Sequence, residues 1–161
     1  MIIACGIDPA ARYGIAIIEY PGDKVLGRYS GRDIVKGRHL LQDWPPAPIA
    51  VLAIEDQFLS DNRARQVAAI KVAHRAGEWA GMARVYGWPE PMYVKPQTWR
   101  AVYKPTRRVK GPKRWAKSDA IRLANTLFRL SLAPAEHDLA EALLIARWAA
   151  VRAVSEMRTK G

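Results

Sequence analysis

The sequence predicts one α/β domain built on a mixed β-sheet. Three observations carry the prediction. Apolar runs of strand length occur at Met1 to Asp8, Tyr13 to Tyr20 and Ile49 to Ile54, a short turn joins the first two, and helix-length segments surround the later strands. A length of 161 residues suits a single core spanning 1–161.

The first run, Ile2-Ile3-Ala4-Cys5-Gly6-Ile7-Asp8, is nearly continuous in apolar residues and closes on an acid. Asp8-Pro9-Ala10-Ala11-Arg12 is short enough for a hairpin-like connection into Tyr13 to Tyr20, and Pro21-Gly22-Asp23 marks the next turn before Lys24 to Ser30. Three adjacent antiparallel strands follow from that spacing. A short helix around Ile34 to Trp44 ends at Pro45-Pro46. Ile49 to Ile54 is apolar throughout and stops at Glu55-Asp56, the pattern of a buried central strand. Asp61 or Asn62 can cap a long helix running to about Tyr86, with Val67, Ile70, Val72, Trp79 and Met82 among its apolar positions and Gly87 as its stop. Gly77 and Gly81 leave a small-residue face on it. Pro91 to Lys95 is a short strand, and Pro105, Gly111 and Pro112 break the next stretch into a loop. Ser118 to Leu130 and Ala135 to about Met157 read as two closing helices separated by Leu132-Ala133-Pro134.

Composition narrows the function. Half of the residues are apolar and a quarter charged, a globular balance. No apolar run approaches the roughly 20 residues that span a bilayer, and the first residues have no signal-like pattern, so a soluble, unexported, cytoplasmic protein is expected. The single cysteine, Cys5, excludes an internal disulfide framework or a Cys-based zinc cage. The charge is +11, from 26 Lys and Arg against 15 Asp and Glu, and it is uneven. Seven of the fourteen residues from Lys104 to Lys117 are basic (Lys104, Arg107, Arg108, Lys110, Lys113, Arg114, Lys117) and none is acidic. A basic loop at about 104–117 suits a polyanionic partner.

The acids are informative by position. Asp8 and Glu55 each close an apolar strand, which holds both at the rim of a buried sheet. Burial raises a carboxyl pKa unless a cation or donor compensates, and a divalent metal compensates most strongly. Either acid alone reads more readily as a strand-end residue capping the next turn. Asp138 and Glu141, three apart on the final helix, project from one face, and on spacing alone they read as a solvated patch near a helix N-terminus. Together the four become a ligand set. Oxygen-only ligation suits Mg²⁺ or Mn²⁺ rather than zinc, and two such ions can clamp the attacking and leaving oxygens of a phosphodiester.

Gly6-Ile7-Asp8-Pro9 with Gly14-Ile15-Ala16, then Ala53-Ile54-Glu55-Asp56-Gln57-Phe58, then Asp138-Leu139-Ala140-Glu141-Ala142-Leu143 resembles, in order and spacing, the RuvC-type Holliday-junction resolvases of the RNase H-like superfamily. The resemblance runs nearly the whole chain. It implies a five-stranded mixed sheet flanked by helices, and a homodimer that nicks two opposed strands of a four-way DNA junction. It assigns Asp8, Glu55, Asp138 and Glu141 as catalytic ligands of two Mg²⁺ or Mn²⁺ ions per site. Glu141 departs from the Asp common at that place, and its longer arm alters ligand geometry. His137 is treated as a surface neighbour able to accept a proton, and Asp56, which would face away from Glu55, is secondary.

The same resemblance puts Phe58 where such enzymes stack an aromatic on bases at the junction centre, with a core Phe under the long helix as the equal alternative. Pro96-Gln97-Thr98-Trp99-Arg100 is similar to the family's Pro-x-x-Val-Lys segment, which places Arg100 at a functional lysine; Lys117 matches a second. Either would contact the scissile phosphate or stabilise developing charge. Tyr103 and Trp115 interleave with the basic residues, a combination suited to phosphate tracking plus base or sugar contact. Trp79, Trp88, Trp99 and Trp148 read as packing residues. The function expected is junction resolution by paired symmetric nicks leaving 5′-phosphate and 3′-hydroxyl ends. Its partners would be branched DNA, a second copy of the chain through the Gly77/Gly81 face, and branch-migration proteins, in a bacterial nucleoid or from a phage. The alternatives are a broader branched-DNA or flap endonuclease, a non-catalytic RNase H-like nucleic-acid-binding module, and the related YqgF-like RNA-processing proteins, which share the Gly-x-Asp opening.

Overall fold

A computed structural model describes residues 1–42, 48–56, 63–103 and 115–159. Five strands form one sheet: β1 (Ile2–Asp8), β2 (Tyr13–Tyr20), β3 (Lys24–Gly31), β4 (Val51–Glu55) and β5 (Met92–Val94), in the order β3-β2-β1-β4-β5. The three N-terminal strands are antiparallel neighbours, as their short turns require, whereas β4 and β5 run parallel to β1. The described residues also form five helices: α1 (Ile34–Gln42), α2 (Arg63–Val85), α3 (Pro96–Tyr103), α4 (Lys117–Phe128) and α5 (His137–Thr159), the last preceded by a 3-10 turn at Pro134–Glu136.

Strand periodicity divides the sheet into two faces. Ile3, Cys5, Ile7, Ile15, Ile17, Leu52 and Ile54 pack with Ala76, Trp79, Ala80 and Ala83 of α2. Ala4, Ala16, Ile18, Val51 and Ala53 pack with Leu139, Ala142, Leu143 and Ala146 of α5, and with Trp99 of α3 and Ala120, Ala124 and Phe128 of α4. The parity that sends Ala4 and Ala53 toward α5 also sends Gly6, Asp8 and Glu55 there. Small residues set the helix close to the sheet: a Cβ added at Gly6 would fall 2.9 Å from Ala146 Cα.

Two differences from the sequence reading bear on function. Pro96–Tyr103 forms a helix where the sequence pattern assigns no element; Pro96 stands at its first position, where a missing N–H costs nothing. On α2, Val67 and Ile70 are expected at apolar positions but are 53% and 58% exposed, while Trp79 is buried. Gly87, the expected stop, adopts a left-handed φ of 68° just beyond the helix end. The expected caps Asp61 and Asn62 and the Pro45-Pro46 break lie outside the described residues.

Candidate active site

Register brings the strand-end acids side by side. In the parallel β1/β4 pair Ile7 lies opposite Ile54, so Asp8 and Glu55 follow at adjacent strand ends on the α5 face. Asp138 and Glu141, on the first two turns of α5, meet them from above. Among the described residues these four are the buried charged side chains, at 3%, 1%, 6% and 8% exposure for Asp8, Glu55, Asp138 and Glu141. That departs from the solvated patch that spacing alone suggests for Asp138 and Glu141. The helix N-terminus favours a carboxylate at Asp138 in either case.

The cluster strains its own ionisation. Asp8 is pushed well above the ordinary carboxylate range, first by burial and then by the negative charges of Glu55, Glu141 and Asp138, against one hydrogen bond donated by the Ala10 N–H at 3.2 Å. Asp138 is also raised by burial, opposed by the positive charges of His137, Lys117 and Arg12. Arg12, in the β1–β2 turn, is exposed and donates through Nε to Ser30 Oγ at 3.1 Å. The sequence reading gave it no role.

Cations and indoles line the acids. Arg100 Nη2 donates to Glu141 Oε1 at 2.9 Å and lies 3.6 Å from Glu55 Oε2. Trp99 Nε1 donates to that same Glu55 oxygen at 2.7 Å, and Trp115 Nε1 to Glu141 Oε1 at 3.0 Å. Trp99 is thus a buried packing residue that also holds a site carboxylate, a role the packing assignment missed. Trp115 is half-buried against it, edge to face, at 5.5 Å between ring centroids. Tyr103, grouped by sequence with the basic stretch, packs on Trp99 and donates its hydroxyl to the Leu144 carbonyl at 2.9 Å; burial pushes its pKa up to about 12. The missed signal was Pro96 itself: a helix started there carries Trp99 and Arg100 together toward the site.

Lys117 opens α4 and is exposed. Its Nζ lies 2.6 Å from His137 Nε2, which is in turn 2.9 Å from Asp138 Oδ1. A protonated Nε2 donates to Asp138 and a bare one accepts from Lys117, so the imidazole tautomer selects its partner. His137 is therefore half-buried within the site rather than a surface neighbour. Asp56 lies past the end of β4, its N–H bonded to the Val94 carbonyl at 2.8 Å. Phe58, Lys104, Arg107, Arg108, Lys110, Lys113 and Arg114 lie outside the described residues.

No protein-family model matches the chain, and no curated protein matches it in sequence. Solved structures do. "T. thermophilus RuvC in complex with Holliday junction substrate" superposes with a TM-score of 0.70 at 19% identity, covering 96% of each chain. Thermus thermophilus RuvC superposes with a TM-score of 0.68 at 21% identity, covering 96% of this chain and 97% of that one. The chain has the RuvC-type RNase H-like fold. Within that fold the four acids sit together at the rim where the carboxyl ends of β1 and β4 meet the start of α5.

The donor set suits a divalent cation of the Mg²⁺ or Mn²⁺ kind, since it offers carboxylate oxygens without thiolate. A divalent cation held there would offset the negative charges that raise Asp8. Among the described residues no three His, Cys, Asp or Glu side chains close on one point as a finished metal cage. Glu55 and Glu141 instead face Trp99, Arg100 and Trp115. No helix among the described residues is long and apolar enough to cross a membrane.

Proposed function

We propose that this protein is a divalent-metal-dependent, structure-specific DNA endonuclease that resolves four-way junctions. One observation carries the reading: the only buried charged side chains among the described residues are four carboxylates, gathered from β1, β4 and α5 of a RuvC-like fold. A fold stabilised for its own sake has no use for such a group, in which burial and the other three acids raise the proton affinity of Asp8.

Asp8, Glu55, Asp138 and Glu141 would hold two Mg²⁺ or Mn²⁺ ions. Bound there, such ions would supply water activation and charge neutralisation for an in-line displacement that leaves a 5′-phosphate and a 3′-hydroxyl. The chain's own residues supply the rest. Lys117 and Arg100 stand beside the acids and are suited to bind the scissile phosphate, with Arg100 able to grip two oxygens at once. The basic loop at about 104–117 would track the DNA backbone, and Phe58 would stack on an opened base. Two copies would cut opposed strands, joined through α2, whose Val67 and Ile70 are exposed and whose Gly77 and Gly81 have open space beside them.

The deciding experiment maps cuts on denaturing gels in immobile and migratable four-way junctions, with Mg²⁺, Mn²⁺ or EDTA, beside linear duplex, flap, fork and RNA substrates. Paired symmetric nicks that require metal and vanish in Asp8→Asn and Glu55→Gln, with junction binding retained, are the expected result. Cuts spread over flaps and forks would replace resolution with a broader branched-DNA nuclease. Cleavage of RNA without junction preference would favour an RNA-processing role, and binding without cutting under every condition a non-catalytic module.

A further inference from the structure

Arg100 occupies an unusual seat. Its Nη2 lies 2.9 Å from Glu141 Oε1 and 3.6 Å from Glu55 Oε2, so one guanidinium nitrogen faces two of the four acids. The guanidinium is flanked by two indoles, with its carbon 4.9 Å from the Trp99 ring centroid and 5.8 Å from that of Trp115. Both indole N–H groups point at the same carboxylates: Trp99 at the Glu55 oxygen that faces Arg100, Trp115 at the Glu141 oxygen that Arg100 already holds. Arg100 Nε, by contrast, is buried with no hydrogen-bond partner among the described residues. An orphaned buried donor on a charged group is costly, so this seat satisfies the acids better than it satisfies the arginine.

The two tryptophans differ in freedom. Trp99 is fully buried on α3 within the core shared with α5. Trp115 is half-buried and precedes α4 in a non-helical position. One indole is fixed within the core, and the other packs only partly against it, with Trp99 at its edge and a bond to Glu141.

We propose that Arg100 and Trp115 form a built-in stand-in for the divalent cation, occupying Glu141 and screening Glu55 until metal enters, while Trp99 is a positioning residue that keeps Glu55 in place throughout. This rests on the reading of Glu55 and Glu141 as metal ligands. Glu141 Oε1 accepts from both Arg100 and Trp115, so on this proposal the two donors would withdraw from it when metal binds, leaving the Arg100 guanidinium for an incoming phosphate. The Trp99 bond to Glu55 survives, because a carboxylate accepts one N–H while presenting its remaining lone pairs elsewhere.

The test follows the indole N–H cross-peaks of the full-length protein by NMR during titration with Mg²⁺, which is diamagnetic, with Trp99→Phe and Trp115→Phe assigning the two signals. Mn²⁺ affinity is measured in parallel by electron paramagnetic resonance for wild type, Trp115→Phe, Arg100→Met and Asp8→Asn. The Trp115 signal is expected to shift with Mg²⁺ while that of Trp99 stays. Trp115→Phe, which leaves the charge unchanged, should bind Mn²⁺ roughly tenfold more tightly, the equivalent of one charge-assisted contact that no longer has to break. Should Mn²⁺ bind wild type and be lost in Asp8→Asn while the Trp115 signal stays still and Trp115→Phe matches wild type, the stand-in is wrong and the metal site survives. Absence of Mn²⁺ binding to wild type, Trp115→Phe and Arg100→Met alike would remove the metal site and the stand-in together.

Discussion

Gly14 of β2 lies directly beneath the backbone of Asp138: a Cβ added there would overlap the Asp138 carbonyl and come within 2.9 Å of the Leu139 nitrogen. Because Gly14 is the antiparallel partner of Asp8, the same close approach that seats α5 brings its first-turn carboxylate over the end of β1. Packing and site geometry are here one constraint.

Gly14→Ala tests it with a single methyl group. The opposing atoms are helix backbone, which cannot step aside by changing rotamer, so α5 must lift from the sheet. Overpacking of this kind costs about 1–3 kcal/mol. The urea midpoint should fall accordingly with little change in slope, and junction cleavage should fall with it, since Asp138 and Glu141 move as a unit. Cleavage at the wild-type rate with unchanged stability would mean that the helix does not need this seat.

Asp8→Asn should stabilise the metal-free protein at neutral pH. Burial and the neighbouring acids raise the Asp8 pKa in the folded state above its ordinary 3.8, so the fold binds this proton more tightly than the unfolded chain does. The resulting stability is fully present below the unfolded pKa and is lost as pH rises through the folded one. Thermal melts in EDTA should therefore show Asp8→Asn above wild type at pH 7, the gap closing under acid conditions. Added Mg²⁺ should raise the wild-type midpoint and leave the variant's unchanged. A variant that melts below wild type at pH 7 would contradict the repulsion among these carboxylates.

The sheet was legible because its apolar runs are bounded by short turns and by acids, and strand parity then puts Asp8 and Glu55 on one face and Asp56 off it. The burial of Asp138 and Glu141 was less legible. Spacing gives a shared face but not which side meets the core, and the resemblance supplied what periodicity did not. Trp99 and Trp115 were invisible as carboxylate donors, since an indole N–H declares its partner only once α3 and the start of α4 are placed against Glu55 and Glu141. The exposure of Val67 and Ile70 has the opposite lesson: an apolar position on a helix says nothing about whether its own chain covers it.

Away from the site, Arg147 of α5 clasps Asp23 in the β2–β3 turn, its Nε 3.0 and 2.9 Å from the two carboxylate oxygens, with its guanidinium 5.9 Å from the Tyr20 ring centroid. Both side chains are largely shielded, at 23% and 17% exposure, so the pair escapes most of the screening that weakens surface ion pairs. A double-mutant cycle with Arg147→Met and Asp23→Asn should give a coupling of about 1–2 kcal/mol by urea denaturation. Cleavage per folded molecule should not change, which separates anchoring of α5 at this end from its role at Asp138.

The basic segment should act through phosphate contacts. Each phosphate neutralised on duplex DNA steepens the dependence of log affinity on log salt by about 0.9. Replacing Arg107, Arg108, Lys110 and Lys113 with Ala would therefore flatten the slope for a four-way junction by roughly 3 to 4 if all four make such contacts. Binding at low salt should weaken most, because counterion release contributes most there. Lys117 provides an internal comparison: at the end of the basic stretch it lies beside His137, so Lys117→Ala should lower the cleavage rate of bound junction while moving the salt slope by at most about one contact. An unchanged slope in the quadruple variant, measured by fluorescence anisotropy between 50 and 200 mM salt, would remove the segment from the DNA interface and leave its charge without a partner.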